Sequence, residues 1–348
     1  MEGSRAKVGI RSSTMHPCPI CAGSAEFWCQ APDHHYGNAG LWDVYRCSQC
    51  RHMFQHPLPK EQDLLQFYPD SYYAYQPPVT NFAPHGLRHR GVWLSLHYLK
   101  YFRGHQHLSV SQNPILACVG YFLNHRPLHF DSPAFQPDGV FLDYGCGTGG
   151  TVAFAQYTGW RAEGIEINRS AAKAGREAGI PVDHGSIETL EVRVNRYNYI
   201  MSSHCLEHVP DVWRLFRAFF RALKPGGVLA IDVPNASSIS VERFRAFSYY
   251  LGMPVHVNLF TPGSISSLAR STGFVDIATA TYSSWYTQAE SAVLIRRSKN
   301  GNSAHGSFRS HGNWEGFWGR IKSLPTYVLS RLQSRGDCLV MTCVKPVS

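Results

Sequence analysis

From about residue 138 onward the chain alternates between two rhythms. Runs with strand character fall at 140–143, 161–166, 180–183, 197–202, 227–233, 275–281 and 338–344. Between them, apolar residues recur at three- and four-residue spacing, the stripe of a helix that lies on a sheet. The clearest stripe carries Val212, Leu215, Phe216, Phe219 and Leu223 on one face, with Asp211 placed to cap its start and Lys224-Pro225-Gly226-Gly227 placed to stop it. Arg214, Arg217 and Arg221 form its other face and read as a solvated surface. Strand and helix in alternation predict an α/β fold with a seven-stranded, doubly wound parallel sheet.

Upstream, both rhythms break. Residues 16–56 are rich in Cys, His and aromatics and poor in helical periodicity, which suggests a small module without a large core of its own. Residues 57–137 hold two proline-rich joints, at 57–78 and 127–137, around an aromatic, His-rich stretch at 94–102 that reads as a short helix. The predicted organisation is a module at 16–56, a partly helical linker at 57–137 and an α/β domain at 138–348. Near the carboxyl end a polar, glycine-rich stretch at 298–313 interrupts the last strand pair, and an amphipathic segment at 314–332 follows.

Composition narrows the picture only slightly. The 348 residues are 44% hydrophobic and 16% charged, a globular balance, and no long apolar run marks a membrane span. The first fifteen residues hold no apolar core of an export signal, so the cytoplasm is the expected compartment. A net charge of +9 favours acidic partners such as nucleotide sugars, carrier-bound substrates or RNA without choosing among them.

The ten cysteines are more informative. Cys18-Pro-Ile-Cys21 and Cys47-Ser-Gln-Cys50 form two C-x-x-C pairs, the arrangement that closes four thiolates tetrahedrally on Zn²⁺ from two turns. Four protein thiolates leave no open position on the metal, so its expected role is structural. Cys29, His34, His35 and His52 are spare ligand candidates, read as ordinary residues while the four cysteines suffice.

The densest chemistry lies at the first strand of the α/β region, where Val-Phe-Leu-Asp143 runs into Tyr-Gly145-Cys146-Gly147-Thr-Gly-Gly150. Gly145, Gly147 and Gly150 satisfy G-x-G-x-x-G, a pattern that suits close backbone approach to many nucleotides. Asp143 discriminates among them. A carboxylate there repels a pyrophosphate but favours the ammonium and sulfonium of S-adenosylmethionine. Glu166, 21 residues after Gly145, ends the second strand where such folds place an acid on the ribose hydroxyls, with Ile167 beside it. Ser186 and Ile187 follow the third strand, where the adenine edge should lie.

Two polar loops are candidates for catalysis. After the fourth strand come His204, Glu207 and His208, at the sheet edge where α/β folds bind ligands. Either histidine titrates near neutrality and suits a general base, with Glu207 to orient it. His256 lies in the second loop, just before Thr261 and Pro262, which are expected to start a helix.

Leu-Asp-Tyr-Gly-Cys-Gly-Thr-Gly (142–149), Gly-Trp-Arg-Ala-Glu-Gly-Ile-Glu (159–166), Leu-Glu-His-Val-Pro-Asp (206–211), Leu-Lys-Pro-Gly-Gly (223–227) and Val-Pro-Asn (233–235) resemble class I S-adenosylmethionine-dependent methyltransferases, whose fold is Rossmann-like. The amino end, with Cys-Pro-Ile-Cys, Tyr45-Arg-Cys-Ser-Gln-Cys50, Pro57-Leu-Pro59 and Phe-Tyr-Pro-Asp-Ser-Tyr-Tyr (67–73), is similar to the zinc-ribbon-like leader of a bacterial group associated with saccharide and secondary-metabolite pathways. The resemblance implies methyl transfer to a small-molecule acceptor, with Asp143 and the glycine loop at the methionine end, Glu166 on the ribose and Glu207-His208 facing the acceptor. Where that group commonly has Pro-Arg-His, this chain has Pro254-Val255-His256, which removes a cation for an anionic acceptor. Two rivals stand beside this reading. An RNA methyltransferase would share the zinc module and basic charge but should show a denser Lys/Arg stripe there, and a non-catalytic cofactor-binding protein would use the module for recruitment.

Overall fold

The computed structural model describes residues 15–68, 75–78, 136, 138–299 and 313–347. The short helix expected at 94–102, most of the joint at 127–137 and most of the polar stretch at 298–313 lie outside them. Among the described residues four strands come first: β1 His16–Pro17, β2 Ser24–Ala31, β3 Trp42–Cys47 and β4 Met53–Gln55, followed by helix α1 Glu61–Leu64. The larger region then runs β5 Val140–Tyr144, α2 Gly150–Tyr157, β6 Arg161–Glu166, α3 Arg169–Glu177, β7 Val182–His184, α4 Ile187–Glu191 and β8 Tyr197–Ser203. It continues with α5 Val212–Ala222, β9 Leu223–Pro234, α6 Ile239–Phe244, β10 Asn258–Leu259, α7 Pro262–Thr272, β11 Val275–Tyr282, α8 Trp285–Lys299, α9 Asn313–Leu332 and β12 Cys338–Val344.

The seven predicted strands form one sheet in the order β11-β12-β9-β8-β5-β6-β7. From β9 through β7 the neighbours are parallel, so β5, β6 and β8 present their carboxyl ends at a common edge. The sheet is not wholly parallel as expected, because β12 inserts between β9 and β11 and runs antiparallel to both. The reason is the connection. A single crossover helix returns the chain to the opposite edge, whereas α8 and α9 are two helices packed on each other that leave and re-enter at the same edge. Ser283 at the start of the excursion lies 2.6 Å, hydroxyl to hydroxyl, from Ser330 near its end, and Tyr282 pairs with Cys338. The strand that follows must therefore run backwards.

Two element ends moved for local reasons. β7 starts at Val182 and not at Ile180, because the Ile180 N–H is spent on the Gly175 carbonyl and Pro181 has no N–H to give the ladder. α5 starts as read, with Asp211 accepting from the Arg214 N–H at 2.9 Å, but ends at Ala222, and Leu223 begins β9 instead of completing the helical stripe. Its arginines are not merely solvated, since Arg214 pairs with Glu188 and Glu191 at 2.8 Å each. Thr261 caps α7 in a reciprocal capping box with Ser264, with Pro262 in the first turn.

The small sheet has the order β1-β2-β3-β4-β10, so its last strand comes from residues 258–259 of the larger region. Its apolar face joins the main core, where Cys18, Ile20, Tyr45 and Phe54 pack in one cluster with Leu206, Val209, Val212 and Phe260. The Trp213 indole N–H donates to the Pro19 carbonyl at 2.8 Å across the same seam. Among the described residues, no helix is long and apolar enough to cross a membrane.

Candidate active site

β5 delivers Asp143 and Tyr144 to the carboxyl edge, and the chain then turns through Gly145 with φ +78°. A Cβ at Gly145 would sit 2.5 Å from the Cys205 Sγ, so only glycine permits this approach between the β5 and β8 loops. The third glycine the loop requires is Gly149 and not Gly150. Gly149 sits at φ +89° against Ile180 and Val182, whereas a Cβ at Gly150 would meet nothing. Beneath this loop Asp143 is 4% exposed, and burial pushes its carboxyl up to about 7, opposed by a hydrogen bond from Thr151 and aided by the nearby Glu166 charge. Glu166 accepts from the Gly147 N–H through one oxygen and from the Asn168 N–H through the other, both at 2.8 Å. It ties the end of β6 to the glycine loop; burial outweighs those bonds and leaves its pKa raised.

A cavity of about 620 Å³, in the size range of small-molecule sites, opens at this edge. Its lining includes Asp143, Gly145, Cys146, Gly147, Glu166 and Ile167, together with His204, Cys205 and His208 from the loop after β8. A further part of the lining was not foreseen. Glu61, Leu64, Leu65 and Tyr68, with Tyr75 to Pro78, come from the segment read as linker. The Thr148 hydroxyl donates to the Gln76 carbonyl at 2.8 Å and pins that segment to the glycine loop. The signal for it was Tyr68, in the motif quoted above for its resemblance but not read as part of a site; residues 69–73 of that motif lie outside the described ones.

The other sequence candidates lie off the cavity wall. Gly185 lines the cavity, while Ser186 is hydrogen-bonded to Glu188 and Ile187 is packed in the core. Glu207 is fully buried behind His204 and His208. His256 donates from Nδ1 to the Tyr250 carbonyl at 2.9 Å and sets its ring edge-on to His208, 4.8 Å away.

The three histidines differ in charge. His204, held at φ +49°, has its Nδ1 3.3 Å from Glu207 and its Nε2 3.9 Å from Asp232. Burial lowers its pKa, but contacts with Cys338 and Glu207 and the charges of Asp232 and Glu207 win, and it is raised well above the usual histidine value. Burial would raise Glu207, yet its hydrogen bond to His204 and the charges that His208, His204 and His256 carry once protonated in acid hold it at about 2. His208 and His256 go the other way, His256 to about 3, with burial the main cause in each. The result is an ion pair, His204 with Glu207, beside a neutral His208. The Nδ1 of His208 lies 2.9 Å from the Val255 carbonyl, which can only accept, so Nδ1 carries the proton and the Tyr68 hydroxyl oxygen at 2.8 Å shares it. The lone pair is therefore on Nε2, 4.0 Å from the Glu207 carboxylate.

The four predicted metal cysteines converge. Their Sγ atoms lie within 4.8 Å of one another, with contacts of 3.4, 3.5 and 3.6 Å, close to the separation of about 3.8 Å that a tetrahedron with bonds of about 2.3 Å requires. The Ile20 N–H points at the Cys18 Sγ and the Gln49 N–H at the Cys47 Sγ, both 3.4 Å. The residues that follow the two pairs, Ala22 and Arg51, adopt matching left-handed conformations, φ +57° and +61°. Two like turns that aim N–H groups at sulfur suit thiolates on a metal.

Comparison with known proteins bears on the larger region. Residues 121–279 match the family model of a methyltransferase domain. That region is therefore similar to methyltransferase domains, over a little under half of the chain. The chain is 28% identical over 153 residues to phosphoethanolamine N-methyltransferase 2 of Caenorhabditis elegans, a match that takes in 42% of this chain and 34% of that protein. It is 25% identical over 170 residues to a demethylmenaquinone methyltransferase of Geobacillus, over 40% of this chain and 73% of that one. It is 27% identical over 183 residues to a ubiquinone biosynthesis O-methyltransferase of Xanthomonas axonopodis, over 48% and 77% respectively. The chain thus spans only about a third of the nematode enzyme. Among solved structures, it is similar to Haemonchus contortus phosphoethanolamine N-methyltransferase 2 in complex with S-adenosylmethionine, with TM-score 0.45, 18% identity and coverage of 93% of this chain and 69% of that one.

Proposed function

We propose that the protein moves a methyl group from S-adenosylmethionine to an oxygen or acidic carbon of a small-molecule acceptor, with His208 as the general base. One observation carries the reading: the glycine loop, Asp143, Glu166 and a neutral histidine, His208, line the same cavity. When bound, S-adenosylmethionine supplies a methyl carbon already activated by its sulfonium. Asp143 would pair with the ammonium of its methionine end, and Glu166 would accept from its ribose. Tyr68 and the segment 75–78 exclude water from above. His208 Nε2 would take the proton that the acceptor loses on methylation. The imidazolium so formed lies beside Glu207, which stabilises it. His204 is already protonated and so is no base; its charge serves to hold oxygen on the acceptor.

The acceptor class rests on the amino-terminal motifs, which support a saccharide-linked metabolite. The named relatives, whose names point to phosphoethanolamine, demethylmenaquinone and ubiquinone biosynthesis, support a small molecule in general. In the same reading Zn²⁺ is held by Cys18, Cys21, Cys47 and Cys50 and has a structural role.

The test is incubation of protein and methyl-labelled cofactor with cell extract, read by mass spectrometry, for the wild type and for His208→Asn. Labelled product from the wild type, reduced on the order of a hundredfold or more in His208→Asn, is expected. Equal labelling by the two would remove His208 as base, and tight cofactor binding with no labelled product would leave a binding protein.

A further inference from the structure

We propose that His52 and Asn258 are positioning residues that transmit the geometry of the four-cysteine knuckle to His208. The inference rests on the reading of His208 as the base. Both side chains are fully buried, and neither lines the cavity. The Asn258 Nδ2 donates to the Val209 carbonyl at 2.8 Å, and Val209 follows His208 directly. With its amide nitrogen committed to an acceptor, the Asn258 Oδ1 must face a donor, and it lies 3.0 Å from the His52 Nε2. His52 therefore carries its proton on Nε2.

The other end of this path is the second cysteine pair. The His52 carbonyl accepts from the Cys47 N–H at 2.9 Å and closes that turn, and the Thr261 hydroxyl donates to the Cys50 carbonyl at 2.9 Å. Between the two ends, the stretch 255–258 is clamped from both sides. The Gln55 N–H donates to the Val257 carbonyl at 3.0 Å, and the Val257 N–H donates to the Glu207 carbonyl at 2.8 Å. The Val255 carbonyl in that stretch is the group that fixes the His208 tautomer. A shift of the knuckle thus reaches the basic nitrogen through buried hydrogen bonds, and a small misplacement of a base can cost on the order of a hundredfold in rate.

The experiment compares His52→Leu, His52→Gln and Asn258→Ala in the full-length, metal-loaded protein. Gln places an amide N–H near the position of the histidine Nε2, so it should restore what Leu removes. Metal content, affinity for S-adenosylhomocysteine by calorimetry and the nitrogen-15 ring signals of His208, assigned with His208→Asn, are measured together. Expected are one metal ion per chain and affinity within about twofold of wild type in all three. The His208 ring should change from a single Nδ1–H tautomer to a mixture in the Leu and Ala variants and return in Gln, with methyl incorporation from labelled cofactor into extract falling and recovering by about tenfold to a hundredfold in parallel. Unchanged ring signals in His52→Leu with metal retained would overturn the proposal, as would failure of Gln to restore them. Should His52→Leu not fold, Asn258→Ala against His52→Gln decides the same question. Wild-type methylation by His208→Asn would instead sink the base assignment, while the tautomer comparison would still decide the relay.

Discussion

At the residue scale, the most telling group is a carboxyl that the fold keeps partly protonated. Asp143 is pushed up to about 7 by burial, while a bound aminoacyl ammonium requires it ionised. Binding below that value must first remove a proton, so affinity for S-adenosylhomocysteine should fall by up to tenfold per unit as pH drops from about 7 to about 5.5, and level off above about 7.5. Calorimetry across that range checks it; Asp143→Asn should bind weakly with no such slope, and a flat wild-type curve would contradict the role. The histidines give a second prediction. The pKa of His208 is lowered, mainly by burial, so turnover should rise through an acidic limb below the ordinary histidine range and then hold. A limb above that range would point to His204, whose pKa is raised. That Asp143 would line the cavity and that the two cysteine pairs would converge was legible, because each motif is set by a few adjacent residues. The charge states of His204 and His208 were not, since they depend on Asp232, Cys338 and the Val255 carbonyl, remote in sequence.

At the scale of elements, α5 shows what a hydrophobic pattern can and cannot convey. Its buried face of Val212, Leu215, Phe216 and Phe219 and its Asp211 cap followed from spacing alone. Phe219 stands edge-on to Tyr144 at 5.4 Å, directly after Asp143, so this helix backs the first strand of the site. Phe219→Ala should cost about 3–5 kcal/mol and Asp211→Ala about 1 kcal/mol in denaturant unfolding. The smaller loss should leave cofactor binding intact in the folded fraction. Losses of equal size would mean the helix is held by its cap and not by its buried face. The same pattern could not show that β12 runs backwards, because alternation of apolar and polar residues has no direction. Direction came from the excursion through α8 and α9, and α8 carries no strong apolar stripe to announce it. Nor could spacing show that Tyr68 reaches His208 across 140 positions.

On the scale of the whole molecule, the shared strand decides how the chain unfolds. β10 pairs with β4, and the core that holds Cys18 and Cys47 is continuous with the one that holds Leu206 and Phe260. A metal-stapled unit with its own core would melt apart from the α/β domain; one that borrows a strand and a core has no separate transition to make. Thermal unfolding of the metal-loaded protein should therefore be a single step, seen at the same temperature by far-ultraviolet circular dichroism and by tryptophan fluorescence, to which Trp28 and Trp42 in the small sheet and Trp160 in the domain contribute. Removal of metal with a chelator, or Cys47→Ser, should move that whole transition down and not split it, because binding free energy at a thiolate site is folding free energy. The shift should grow as pH falls, since protons compete with the metal for the four thiolates. Two resolved transitions after chelation, with the upper one at the wild-type temperature, would show that the small sheet stands alone, and the path from the knuckle to His208 would then have no support in stability.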